Sequence, residues 1–268
     1  MYRLEDLVYL MSRLRNPESG CPWDIKQDFQ SLAKYTLEEA YEVVDAIETN
    51  DCHSLEEELG DLLFQVVFYS EIAREKQLFT IETVIDKLVA KLLVRHPHVF
   101  PSAKLYCDNE EESAIPEHEV QRQWEKLKAE ERKQKGHVGV FDDIPVSMPA
   151  LGRAVKLQKR MSQKGMDWQG VSPVFEKLEE EIAELRGAWL HEDRDGVEHE
   201  LGDVIFTCVN LARKMNSEPE QALRKANQRF ISRCLFIVNA LEQENSSISE
   251  VSEARLDELW KTAKANLA

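Results

Sequence analysis

The sequence predicts an all-α protein made of two copies of one helical module in tandem. Three observations carry that prediction. Chain breakers are scarce, with 10 Gly and 9 Pro in 268 residues, fewer than the turns of a β-sandwich or a Rossmann sheet require. Apolar residues recur at helical spacing along most of the chain. A short acidic motif also returns unchanged in the second half.

Leu4, Leu7, Val8, Met11 and Leu14 open the chain as an amphipathic helix, and Asn16-Pro17-Glu18-Ser19-Gly20-Cys21-Pro22 ends it. Cys21-Pro22-Trp23-Asp24 reads as a structural turn. Helical spacing returns near Phe29 and continues to about Ile47. Thr36-Leu37-Glu38-Glu39 fits a capping box, which predicts a start or an interruption there. Ser54-Leu55-Glu56-Glu57 fits a second box, opening a helix through Phe64 and Phe68 to about Glu75. A further helix covers about Ile81 to Val94 and stops at His96-Pro97-His98, two partly buried histidines at a helix end. Residues 101–118 are polar and irregular, and a charged helix follows over about Val120–Lys135. Gly136 to Pro149 reads as a linker, after which the pattern of the first half begins again.

Lys plus Arg number 34 against 50 Asp plus Glu, a formal net charge of −16. That balance argues against a nucleic acid polymer or an anionic membrane as partner, because both demand excess positive charge. It leaves room for a small phosphate ligand held through bound metal. Hydrophobic residues make up 43%, enough for a packed core. Cys21, Cys52, Cys107, Cys208 and Cys234 contain no C-x-x-C pair, which suits a reducing compartment better than a disulfide framework. The acidic N-terminus lacks the basic start and apolar run of a signal peptide, and no apolar stretch reaches spanning length. A cytoplasmic location is expected.

Glu38-Glu39-Ala40-Tyr41-Glu42 corresponds to Glu180-Glu181-Ile182-Ala183-Glu184, and at the same offset Glu58-Leu59-Gly60-Asp61 recurs as Glu200-Leu201-Gly202-Asp203. Leu62-Leu63-Phe64 then matches Val204-Ile205-Phe206. With slightly smaller offsets, Lys87, Lys91 and Arg95 match Lys225, Arg229 and Arg233, while Trp124 and Lys128 match Trp260 and Lys264. Small insertions between helices produce such slips. The expected organisation is a first module over residues 1–135, a linker at 136–147 and a second module over 148–268.

Residues three apart share a helix face, so Glu39 pairs with Glu42 and Glu58 with Asp61. If the two helices pack antiparallel, four carboxylates converge, and the repulsion demands either raised pKa values or cations. Oxygen donors without Cys or His suit Mg²⁺, with Mn²⁺ as a substitute. A solvated acidic face is the competing reading, and Glu39 could instead serve the Thr36 cap. Gly60 and Gly202 sit inside helical patterns, where Gly costs about 1 kcal/mol relative to Ala; a neighbouring backbone or a ligand that excludes a side chain would explain them, as would helix–helix contact alone. A di-iron bundle would need Glu-x-x-His, and none of the seven histidines has an acid three residues before it. Lys225 and Arg229 share a face suited to phosphate oxygens. Lys177 lies one turn before Glu181, and Trp260 could stack on a base. Their alternatives are surface ion pairs and, for the Trp, core packing.

The spacing of Glu38-Glu39-x-x-Glu42 and Glu58-x-x-Asp61, present twice, resembles that of the all-α nucleoside triphosphate pyrophosphohydrolases, the MazG family among them. Gly20-Cys21-Pro22-Trp23-Asp24, Arg95-His96-Pro97-His98-Val99-Phe100 and Asp142-Asp143-Ile144-Pro145 extend the resemblance over nearly the whole chain. It implies two tandem MazG-like helical-bundle domains, a homodimer, and Mg²⁺-dependent hydrolysis of ribo- and deoxynucleoside triphosphates to monophosphate and pyrophosphate. Carried over by position, Glu181, Glu184, Glu200 and Asp203 are the implied metal ligands of the second domain. With Glu180 they form its implied catalytic set. Lys177, Lys225, Arg229 and Trp260 are the implied substrate contacts. Glu39, Glu42, Glu58 and Asp61 are the implied metal ligands of the first domain. The implied reaction is attack of metal-activated water on the α-phosphorus. His199 stands where the family often has an acid, Tyr35 where the repeat has Lys177, and Lys91 where it has Arg229, so the second domain is expected to recognise nucleotide better. A non-catalytic helical scaffold or a regulatory nucleotide-binding protein is the alternative, and the sequence identifies no regulatory protein partner.

Overall fold

A computed structural model describes residues 1–106, 115–134, 136 and 139–267. Cys107 and part of the 101–118 stretch lie outside them, as do Lys135, His137 and Val138. Every regular element among the described residues is helical. The chain divides into two compact units, Met1–Lys128 and Ala129–Ala268.

The first unit contains α1 (Leu4–Leu14), α2 (Pro22–Lys26), α3 (Phe29–Thr49), α4 (Cys52–Glu75), α5 (Ile81–Arg95) and the first part of α6 (Glu117–Gln134). Asp28 caps α3 by accepting from the Gln30 and Ser31 amides, which satisfies two of the unpaired donors at a helix start. The helix then runs unbroken past Thr36. The Thr36 hydroxyl contacts the Leu32 carbonyl at 3.3 Å and the Tyr69 hydroxyl at 2.7 Å, so the predicted cap is instead a mid-helix cross-link and Glu39 has no capping duty. The predicted start at Ser54 also moves. Asp51 is the cap of α4, and Ser54 donates back to it at 2.8 Å. Asn50, in the left-handed region at φ 57°, turns α3 into α4. Cys21-Pro22-Trp23-Asp24 opens a short helix rather than a plain turn, Pro22 standing at its first position where no amide partner is needed. At the end of α5, Nδ1 of His96 approaches the Leu92 carbonyl at 2.7 Å, and its ring packs edge-on to Trp124.

Met11, Leu32, Val67, Phe68 and Ile72 form the core of this unit, drawn from α1, α3 and α4. One cation ties its edges together. Arg15, 8% exposed, pairs with Glu75 through two bonds of 2.8 and 2.7 Å, donates to the Asp24 carbonyl and lies 5.4 Å from the Phe68 ring centroid. It thereby fastens α2 to the ends of α1 and α4.

The second unit carries α7 (Ala150–Ser162), α8 (Ser172–Leu190), α9 (Arg194–Lys214), α10 (Pro219–Gln243), a 3-10 turn (Ile248–Glu250) and α11 (Glu253–Asn266). Asp193, Glu218 and Ser252 cap α9, α10 and α11. α8 packs along α9, and α7 also packs against α9. Ile237, Leu241 and Leu259 close α10 on α11. The stretch before α7 is pinned to it: Asp143 accepts from both terminal nitrogens of Arg160 at 2.7 and 2.9 Å, and Ile144 is buried. No helix among the described residues is long and apolar enough to cross a membrane.

Arg15→Ala should destabilise the first unit by about 2 kcal/mol, since it removes a buried guanidinium, leaves the buried Asp24 carbonyl without its donor and unpairs Glu75. Urea unfolding of the full chain, followed through a first-unit tryptophan, checks this; a loss under 1 kcal/mol would contradict the role given to Arg15.

Candidate active site

In each unit the acidic motifs fall on a helical hairpin, and the hairpin brings them together. α3 and α4 pair across Asn50 and Asp51, while α8 and α9 pair across His191–Asp193. Carboxylate oxygens of Glu39, Glu58 and Asp61 lie within 4.8 Å of one another, and so do those of Glu181, Glu184 and Glu200. The two triads are not copies. The first unit supplies one acid from its leading helix and two from the following one; the second supplies two and then one. The fourth predicted acid stands outside the triad in each. Glu42 contacts Glu58, and Asp203 turns toward His199, whose Nε2 is 3.4 Å from it.

The electrostatics follow from that crowding. Partial burial, then the charges of Asp61, Glu42 and Glu58, push the Glu39 carboxyl above its ordinary range. Burial, then Glu42 and Asp61, does the same to Glu58. Burial also raises Glu184, with Lys177 partly offsetting it and Glu181 and Glu200 adding to it. Lys177 is the charge that distinguishes the second site. Its Nζ lies 2.7 Å from Glu180 and 2.9 Å from Glu181, and those two partners hold it protonated well above the usual lysine range. Glu181 is the buried member, 6% exposed.

Clustered oxygen donors with no nitrogen or sulfur among them fit a hard divalent cation such as Mg²⁺ or Mn²⁺. The glycines tell less than their positions suggested. A Cβ on Gly60 or Gly202 would meet no atom within 4 Å, so no neighbouring backbone in the chain excludes a side chain there.

The remaining predicted residues stand apart from the triads. Lys225 and Arg229 are exposed on α10 and make no ion pair among the described residues. Trp260 packs on the α10–α11 core, its ring 5.8 Å from that of Phe230 and 5.8 Å from the Arg233 guanidinium. No hydrogen bond or ion pair among the described residues joins these three to the acids. Sequence reasoning passed over a further group on α7 and α9, Gln158, Asn210 and Arg213, which lines a cavity with Trp168. One signal was available: Asn210 interrupts an apolar run at the repeat position of Phe68.

Comparison with known proteins accords with the two-site arrangement. The model of the MazG nucleotide pyrophosphohydrolase domain matches twice, over residues 27–100 and 169–236, and each match contains one acidic triad. A nucleoside triphosphate pyrophosphohydrolase of Escherichia coli K12 is 42% identical over 98% of both chains. The nucleoside triphosphate pyrophosphohydrolase/pyrophosphatase MazG of Thermotoga maritima is 42% identical over 97% of this chain and 95% of its own. A solved mazG-related protein from Thermotoga maritima aligns at TM-score 0.38 and 29% identity, covering 47% of this chain and 99% of that one. With similarity along nearly its full length and a domain match over each hairpin, the chain belongs to the family of the MazG nucleotide pyrophosphohydrolase domain.

Proposed function

We propose that the protein hydrolyses nucleoside triphosphates, ribo- and deoxy-, to the monophosphate and pyrophosphate, with Mg²⁺ as cofactor and the second unit carrying most turnover. The observation that carries this reading is the meeting of three carboxylates within 4.8 Å on each hairpin. Such crowding is costly without a counter-charge. The names of the relatives support the reaction class.

Glu181, Glu184 and Glu200 would hold the cation, with Asp203 released from His199 to join them. Bound there, Mg²⁺ would neutralise triphosphate charge and lower the pKa of a water that attacks the α-phosphorus. The protein's own groups do the rest. Glu180, anchored by Lys177, stands beside the triad as proton acceptor for that water. Lys177 limits repulsion between the acids and an incoming polyphosphate. Lys225 and Arg229 grip phosphate oxygens, the guanidinium in a bidentate manner, and Trp260 contacts the nucleotide. Tyr35 stands in place of Lys177, and among the described residues no lysine or arginine forms an ion pair with Glu39, Glu58 or Asp61, which supports the unequal division of labour. Exposed Leu201, Ile205, Leu223, Phe230, Ile231 and Leu235 on α9 and α10 support assembly as a homodimer.

Glu200→Gln or Asp203→Asn should lower kcat by roughly 100-fold or more, with helicity and melting cooperativity retained, whereas Asp61→Asn should cost far less. A coupled pyrophosphate assay across a panel of triphosphates, with and without Mg²⁺, measures this. Undiminished turnover in the second-unit variants would overturn the assignment, and release of orthophosphate would overturn the site of cleavage.

The raised carboxyls also predict how stability varies with pH. A carboxyl that binds its proton more tightly folded than unfolded favours folding when protonated, so metal-free stability falls as pH rises from the ordinary glutamate value through the raised ones of Glu39, Glu58 and Glu184. Asp143, held low by Arg160, and Asp167, held low by Arg213, act oppositely: their stabilisation is present above the ordinary aspartate value and lost as pH falls. In chelator at about pH 7.5, above that first window, Glu58→Gln and Glu184→Gln should each raise Tm. Mg²⁺ should stabilise the parent more than either variant. Differential scanning calorimetry decides it, and a fall in Tm for both variants in chelator would contradict the crowding argument.

A further inference from the structure

Residues 139–145, ahead of α7, are held against the second unit by side chains rather than by a helix. The segment turns on itself: the Gly139 amide donates to Asp142 Oδ2 at 2.7 Å, and the Ile144 amide to the Phe141 carbonyl at 2.9 Å. Arg160, on α7, grips it at two points. Its terminal nitrogens donate to Asp143 at 2.7 and 2.9 Å, and one of them also donates to the Val140 carbonyl at 2.6 Å. Arg132 sets a second cation 4.0 Å from the same carboxylate. The Arg160 side chain is 14% exposed and Ile144 5%, so the ion pair is shielded from water and an apolar anchor stands beside it. A shielded, two-pronged carboxylate–guanidinium pair fixes direction as well as distance.

Phe141 lies between the two points that Arg160 grips. It lines the cavity of about 600 Å³ in this unit, whose other described lining residues all belong to α7, to α9 or to 166–168. The domain match spans 169–236, so this ring reaches the cavity from outside the repeated module. Phe141 remains 42% exposed, so core burial alone does not account for holding it there. The first unit offers a contrast. Its phenylalanine at the repeat position of Asn210, Phe68, is 1% exposed in a core with Met11, Leu32 and Ile72. One unit closes the space from within, and the other leaves it open and brings a ring to its edge on a tethered strap.

We propose that residues 139–145 are a specificity-determining strap: Phe141 packs on the nucleoside of a bound triphosphate, and Asp143 and Arg160 are positioning residues that act only through Phe141. The inference rests on the pyrophosphohydrolase reading, which places the phosphates at the acids. Asp203, Phe206 and Asn210 follow one another along one face of α9, so the remainder of the nucleotide extends toward the cavity. A phenyl ring has no polar atom with which to read a base edge, so the strap selects by size and shape. Freed from Arg160, the strap keeps Ile144 as an anchor while Phe141 gains conformational freedom, and ordering it again weakens binding.

Phe141→Ala should raise KM for nucleoside triphosphates about tenfold, the worth of one aromatic contact, while kcat stays within about twofold, as for lost uniform binding. Asp143→Ala should raise KM about fivefold. The double variant should bind no more weakly than Phe141→Ala alone, because a residue that acts through another adds nothing once that other is gone. The inhibition constant of inorganic tripolyphosphate, which has no nucleoside, should not change in any of them. Unchanged KM in Phe141→Ala, a further loss when Asp143→Ala is added to it, or tripolyphosphate inhibition weakening in parallel would each overturn the proposal. Where Asp143→Ala does not fold, Asp143→Asn, which keeps the shape and loses the charge, takes its place in the cycle. Should the parent protein cleave no triphosphate, the reaction reading fails by itself, and the strap is judged separately by acrylamide quenching of Trp168, which lines the same cavity. A quenching constant that rises in Phe141→Ala and in Asp143→Ala, with the rise lost when Trp168→Phe is added, sustains the strap; equal constants in the parent and both variants overturn it.

Discussion

Repulsion among carboxylates on paired helices is the constraint around which this molecule is arranged. Each hairpin brings three acids from two helices within 4.8 Å, an arrangement that folding alone would not favour. Hairpins tolerate it because capping and core packing are supplied elsewhere. Asp28 and Asp51 fasten the helix starts, and Met11, Leu32, Phe68 and Ile72 bury the apolar faces away from the acids. The charge cost remains as raised carboxyl pKa values, which is the state of a site suited to a divalent cation.

The two units resolve the same constraint differently. In the second, Lys177 sits against Glu181 and Glu180, and an open, half-polar cavity continues along α9. In the first, Tyr35 replaces the lysine and a buried phenylalanine closes the equivalent space. The first unit also carries Arg15, whose guanidinium joins α2, α4 and the Phe68 ring. The duplicated module thus has one half closed by packing and one half that keeps an open cavity. Asn210 against Phe68 is the single position where that difference is most concentrated.

Much of the helical framework was legible from periodicity alone. α1 and α4 end at Leu14 and Glu75, where the apolar spacing and breakers place them. Capping was harder to read. Thr36 and Ser54 both have the right local pattern, yet Asp28 and Asp51 hold the caps, because several candidate oxygens lie within a few residues and only the packed helix selects one. The short helix at Pro22 was likewise invisible, since five residues give no period to detect.

The sequence by itself determined which acids share a helix face, because spacing by three fixes that through backbone geometry. It also determined that the arrangement occurs twice. Which acids actually meet was decided by tertiary structure: the register of each hairpin draws Asp61 into one triad and leaves Asp203 beside His199 in the other. The cavity was decided there too. Gln158, Asp167 and Asn210 lie on three separate segments, and the cavity they line exists only once α7 and α9 enclose a volume that no local pattern encodes.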